Sequence, residues 1–123
     1  MAATIKSYQD LIVWQAAVEL AVRCYELTAG FPKSELFGAT SQVRRASTSI
    51  AANIAEGFGR EGAAQFIQFL RISQGSLKEL ETHLIIAARV GLIRDGNEAA
   101  LLSTCDEIGR MLRSLIRTVG EDH

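Results

Sequence analysis

Residues 46–55, ASTSIAANIA, carry no charge and consist mainly of small side chains, in a chain where 22% of residues are charged. Such a run reads as a helix with almost no solvated face, around which the other helices are arranged. At 3.6 residues per turn, Val43, Ala46, Ser47, Ile50, Ile54 and Gly57 fall on one side as a small-residue core stripe. The opposite side holds Arg44, Thr48, Ala51, Ala52 and Ala55. An exposed helix back normally carries several Lys, Glu or Arg residues. The alanines here predict burial on this side too, against another helix or another subunit.

Between these sides runs a polar stripe at heptad-like spacing: Gln42, Arg45, Ser49, Asn53, Glu56 and Arg60. Polar groups facing a packed environment need partners, since an unsatisfied one costs roughly 1–3 kcal/mol. One reading is a structural network or interface, with Arg45 and Arg60 paired to Glu56 or to Glu79 on the next helix. The other is a phosphate or ligand site built from Arg45, Asn53 and Arg60.

A chain of 123 residues, 48% hydrophobic, makes one domain with one core. A single proline, Pro32, favours an all-α fold. The net charge of −1 argues against a broadly basic nucleic-acid binder. Charge is uneven, however, at +2 over residues 32–60, +1 over 61–94 and −3 over 95–123. An anion-binding surface would therefore involve the second and third helices. Cys24 and Cys105 lack any CxxC or Cys/His spacing, so they read as core thiols in a reducing compartment. The N-terminus has no apolar core of signal-peptide length and no run approaches the ~18 apolar residues of a membrane span, so the expected location is cytoplasmic.

The remaining helices follow from periodicity. Residues 1–7 form a lead-in, and Ser7 with Asp10 resembles a capping box. The first helix then runs to about Ala29, with Leu11, Trp14, Val18, Ala21, Tyr25 and Thr28 on one face; Trp14 reads as packing. Gly30 and Phe31-Pro32 make the turn, and the second helix starts at Lys33 or Ser34, with an irregularity at Gly38. EGFGREG (56–62) closes it with three glycines that a helix does not easily keep. That stretch follows a helix rather than a strand and lacks a GK[ST] ending, so it is not a phosphate-binding loop of the usual kind.

Phe66, Leu70, Ser73, Leu77, Leu80, Leu84 and Ala87 define a third helix from Ala63 to Val90, stepping as left-handed bundles do. Gly75 in its middle costs about 1 kcal/mol relative to alanine and would permit close approach of a neighbouring backbone. Gly91 ends this helix. Asp95 and Glu98 cap a fourth, which carries Leu101, Cys105, Ile108, Leu112, Leu115 and Val119 to the C-terminus. Arg110, Arg113 and Arg117 near its end complement the helix dipole. His83 and His123 have no partner at metal-ligand spacing. Short connections predict an antiparallel up-and-down four-helix bundle.

Several motifs carry a family resemblance: Asp10-Leu11 with Trp14-Gln15, Phe31-Pro32 with Glu35, Gln42 with Arg44-Arg45-Ala46, Ser49-Ile50, Asn53-Ile54-Ala55-Glu56-Gly57, and Gly75-Ser76-Leu77 with Glu79-Leu80. The chain resembles the bacterial four-helix bundle proteins of 23S rRNA intervening sequences, also called S23-like. It is more distantly similar to the accessory proteins of diversity-generating retroelements, which bind nucleic acid and a reverse transcriptase. The resemblance implies a homopentamer. It names no settled activity.

Three classes of function follow. A non-enzymatic oligomeric scaffold or adaptor agrees best with a second helix that lacks a solvated back along its uncharged run, residues 46–55. A nucleic-acid-associated protein would use Arg44, Arg45, Arg60 and Arg71, a local patch that repetition around an oligomer would turn into a basic ring. An enzyme is the weakest class, because no Ser/Asp/His set occurs at recognisable spacing and arginines would keep Glu56 and Glu79 ionised. No metal, cofactor or small-molecule substrate is expected.

Overall fold

A computed structural model describes residues 4–94 and 96–121. Among them it contains four α-helices and no strand: α1 (Ile12–Thr28), α2 (Ala39–Phe58), α3 (Ala63–Arg89) and α4 (Asn97–Glu121). Successive helices run antiparallel, as cross-helix neighbours show. Arg44 near the start of α2 bonds Thr28 at the end of α1. Ser49 of α2 meets Ser76 of α3, and Arg23 of α1 bonds Thr104 of α4.

The second helix is not enclosed by three others, as its sequence suggests. Among the α-helices it packs on α1 and α3, with further contacts from the turns at Tyr8–Asp10 and Lys33–Glu35, and α4 lies diagonally across the core. Its back is therefore covered in part: Ala51 is buried, Arg44 and Ala55 are half-buried, and Thr48 and Ala52 stay exposed.

The core is the one the stripes of α2, α3 and α4 predict, but on α1 the buried face is turned from the expected one: Val13, Ala17, Leu20 and Cys24 face inward, Trp14 and Val18 are half-buried, and Tyr25 is exposed. Leu20 and Cys24 of α1, Val43, Ile50 and Ile54 of α2, Leu70, Leu77, Leu80 and Leu84 of α3, and Cys105, Ile108 and Leu112 of α4 are essentially inaccessible. Small residues bring α2 and α3 into close contact. Ser73 Oγ donates to the Ile50 carbonyl at 2.9 Å, giving a buried hydroxyl its partner.

The chain departs from the expected boundaries at two helix starts. Ser7 and Asp10 do form a capping box, but it opens a 3-10 turn, Tyr8–Asp10, and Leu11 is extended before α1 begins. Lys33–Glu35 is likewise a separate 3-10 turn, and Gly38 (φ −110°, ψ −112°) breaks the backbone before α2. Gly57, placed by the sequence both on the core stripe and in the closing glycine-rich stretch, lies inside α2 and is buried, as the stripe predicts. A Cβ there would come within 2.5 Å of Phe69 Cβ, so glycine is what lets α3 approach at that level. Gly75, assigned that role from sequence, has nothing within 4 Å of its Cβ position. The cap expected at Asp95, and His123, lie outside the described residues.

Candidate interaction surface on the α2–α3 pair

The polar stripe of α2 lies along its seam with α3. Gln42, Ser49 and Asn53 are half-buried there, while Arg45, Glu56 and Arg60 are exposed. At the centre, the Ser49 and Ser76 hydroxyls are 2.8 Å apart. Asn53 Nδ2 donates to the Ser49 carbonyl at 2.8 Å and to Ser49 Oγ at 3.0 Å. These bonds hold two helices and satisfy the amide, which leaves little of it for a ligand.

The charged members pair at either end. Arg60 Nη2 lies 2.7 Å from Glu56 Oε2 one turn earlier, and its guanidinium carbon sits 5.1 Å from the centroid of the Phe69 ring. Arg45 donates to Gln42 Oε1 and lies 3.7 Å from Glu79 Oε1. Both ion pairs are solvent-exposed and contribute roughly 0–1 kcal/mol each. Their effect is to offset positive charge along this face.

The four candidate nucleic-acid contacts do not form one cluster. Arg45 and Arg60 stand about 22 Å apart along α2 at 1.5 Å per residue. Arg44 turns to the α1 flank, where Nε donates to Thr28 Oγ1 at 2.8 Å and the guanidinium lies 4.6 Å above the Tyr25 ring centroid. Arg71 is exposed on α3. On α4, Arg110 pairs with Asp106 at 2.7 Å.

Another stripe on α3 is invisible to a search for core heptads. Gln65, Gln68, Ile72, Gly75, Glu79, Thr82, Ile86 and Arg89 step 3-4-3-4-3-4-3, and all are exposed. Ile72 and Ile86 are 44% and 52% accessible. Only Glu79 and Arg89 are charged across these seven steps, so this helix back is as poorly solvated as that of α2. Its only sequence signal is faint, two isoleucines two heptads apart among glutamines and a threonine. On the opposite α1–α4 side, Leu11, Ile12, Met111 and Leu115 line an apolar groove of about 770 Å³.

The remaining groups offer little chemistry. Cys24 and Cys105 are fully buried, and burial pushes their thiols up to about 11 and about 12. Trp14 packs edge-on against Tyr8, with centroids 5.2 Å apart. Among the described residues, no three His, Cys, Asp or Glu side chains gather closely enough to hold a metal ion, and no helix is long and apolar enough to cross a membrane.

Residues 9–114 match the family model for the 23S rRNA-intervening sequence protein. No curated protein matches the chain. Among solved structures, it is similar to a protein of unknown function from the S23 ribosomal protein family of Bacteroides thetaiotaomicron VPI-5482. The two are 29% identical with a TM-score of 0.80, over 86% of this chain and 96% of that one. The match spans the seam, the α3 stripe and most of the core, and the chain therefore belongs to the 23S rRNA-intervening sequence protein family.

Proposed function

We propose that this protein is a non-enzymatic cytoplasmic scaffold whose working form is a homopentamer of side-by-side bundles. The observation that carries this reading is the exposed α3 stripe, with two isoleucines, a glycine and two charges along its length. The two isoleucines are isolated apolar points among polar residues, and a neighbouring subunit seated on them would bury both. A closed ring needs two different complementary faces on each subunit. The α2–α3 back and the apolar groove on the α1–α4 side supply such a pair on opposite sides of the bundle. An adaptor role follows from assembly, since a ring repeats any weak docking site five times.

Native mass measured at low salt, with absorbance at 260 and 280 nm, tests the reading. A concentration-independent pentamer free of nucleic acid supports it, and a monomer across the micromolar range sinks it.

A second reading, association with RNA or DNA, is favoured by the family's description and by Arg44 and Arg71, which form no ion pair among the described residues. Copurified nucleic acid that dissociates steeply as salt rises would support it, because phosphate contacts release counterions. An affinity insensitive to salt would remove the electrostatic version.

A further inference from the structure

We propose that the corner between the end of α1 and the start of α2 is a subsite for a single phosphate group. Its central feature is Arg44. The Nε donates to Thr28 Oγ1 at 2.8 Å, and that hydroxyl in turn donates to the Cys24 carbonyl at 2.8 Å. The Tyr25 ring supports one face of the guanidinium at 4.6 Å. The group is thus fixed in position, while its two Nη atoms bond to none of the described residues. A guanidinium oriented in this way presents a fork suited to bidentate contact with an oxyanion.

Beside it lies a cavity of about 190 Å³, which Lys33, Thr40 and Arg44 line together with Phe31 and Leu36. Drug-sized ligands occupy roughly 300–1,000 Å³, so this space suits one chemical group rather than a whole ligand. Thr40 supplies an independent sign. It is only 5% exposed, yet its hydroxyl makes no hydrogen bond among the described residues. No fully buried side-chain oxygen or nitrogen lacks a partner, so the Thr40 hydroxyl keeps some access to solvent, on a residue that lines the cavity.

The backbone adds to the positive side. Glu35 Oε1 accepts from the Ala39 amide at 3.2 Å, and Gln42 N donates to the Gly38 carbonyl. The amides of Thr40 and Ser41, in the first turn of a 20-residue helix, are left without a helical acceptor. A helix start favours anions, and phosphate in particular. No acidic side chain lines the cavity, while Lys33 and Arg44 do, and Glu35 in the adjoining turn is occupied at the Ala39 amide. Donors of three kinds suit a tetrahedral anion with several acceptor oxygens better than a planar carboxylate. The subsite lies on the α1 flank of α2, so it does not rest on assembly through the α2–α3 face.

Calorimetric titration at fixed ionic strength tests the proposal, with inorganic phosphate, AMP, adenosine and acetate as probes. Phosphate and AMP should bind saturably, and adenosine should not. Arg44→Gln should weaken both by at least about tenfold, and Thr40→Val, which keeps the shape, by a smaller factor. Equal affinity for phosphate and AMP would identify a free-ion site. Tighter AMP binding would identify a phosphate carried on a nucleotide. Absence of saturable binding, acetate binding as well as phosphate, or unchanged affinity in Arg44→Gln would each overturn the proposal. Should Arg44→Gln lose helicity by circular dichroism, Thr40→Val decides alone, and unchanged affinity there overturns it.

Discussion

Two glycines in helices, Gly57 and Gly75, should respond in opposite directions to the same substitution. In Gly57→Ala the new methyl would sit 2.5 Å from Phe69 Cβ and 3.1 Å from a Phe66 ring carbon. Overpacking of this kind costs about 1–3 kcal/mol, so the urea midpoint should fall clearly. In Gly75→Ala nothing lies within 4 Å, and the isolated bundle should gain about 1 kcal/mol from helix propensity. Within the bundle the glycine that close approach requires is Gly57 and not Gly75, which stands out in the sequence by its mid-helix position. The partner that demands a glycine, Phe69, belongs to another helix. The buried thiols are a case where sequence suffices, since an isolated cysteine at a core position predicts its own protection. Raised values of about 11 for Cys24 and about 12 for Cys105, against an ordinary 9.0, mean that the folded state holds these protons when the unfolded chain has lost them. Stability from this source is complete below pH 9 and declines as pH climbs towards 11 and 12. Thiol reagents at pH 8 should accordingly label the native protein far more slowly than the urea-unfolded protein.

At the level of the element, the heptads of apolar residues identified all four helices, and their boundaries were legible wherever composition changed. Ala63 begins α3 as expected, straight after the glycine-rich turn. Boundaries set by backbone angles were not legible. Tyr8, Leu11 and Trp14 keep a helical spacing through a residue that is extended (Leu11 φ −74°, ψ 124°), and side-chain pattern cannot register that break. The capping box serves the 3-10 turn. Ser7 Oγ accepts from the Gln9 amide at 3.1 Å, and Asp10 Oδ2 accepts from the amides of Lys6 and Ser7. Ser7→Ala should cost about 1 kcal/mol at most, since the turn is short and exposed. It should also loosen the packing of Tyr8 on Trp14. The chain has one tryptophan, so a red shift in its emission reports the turn directly, and an unchanged spectrum would show that the ring is held by α1 alone.

For the whole molecule, the core of the described bundle closes within one chain, so the proposed assembly would depend on residues the core does not use. Ile72 and Ile86 meet that condition. They stand two heptads apart on α3, they are about half accessible, and charge at either should leave the single bundle folded. The uncharged run 46–55 of α2 was legible from sequence and pointed to burial against another helix or another subunit. The α3 stripe was not, since an isoleucine every two heptads among glutamines and a threonine looks like an ordinary solvated face. The structure makes the two helices neighbours, so that Ile72 and Ile86 stand beside the exposed Arg45–Glu79 and Arg60–Glu56 pairs of the seam. Ile72→Lys combined with Ile86→Lys should therefore lower the native mass of an oligomer to that of a 13.4 kDa chain while helicity and the urea midpoint stay near their original values. Gly75→Ala sharpens the test, because the same methyl that strengthens the isolated helix would hinder a neighbouring subunit seated on it. A variant more stable as a bundle yet weaker as an oligomer is expected only if another chain covers this face. If both sets of substitutions leave the mass unchanged, the contact between subunits lies elsewhere, and the groove between the start of α1 and the end of α4 becomes the surface to alter.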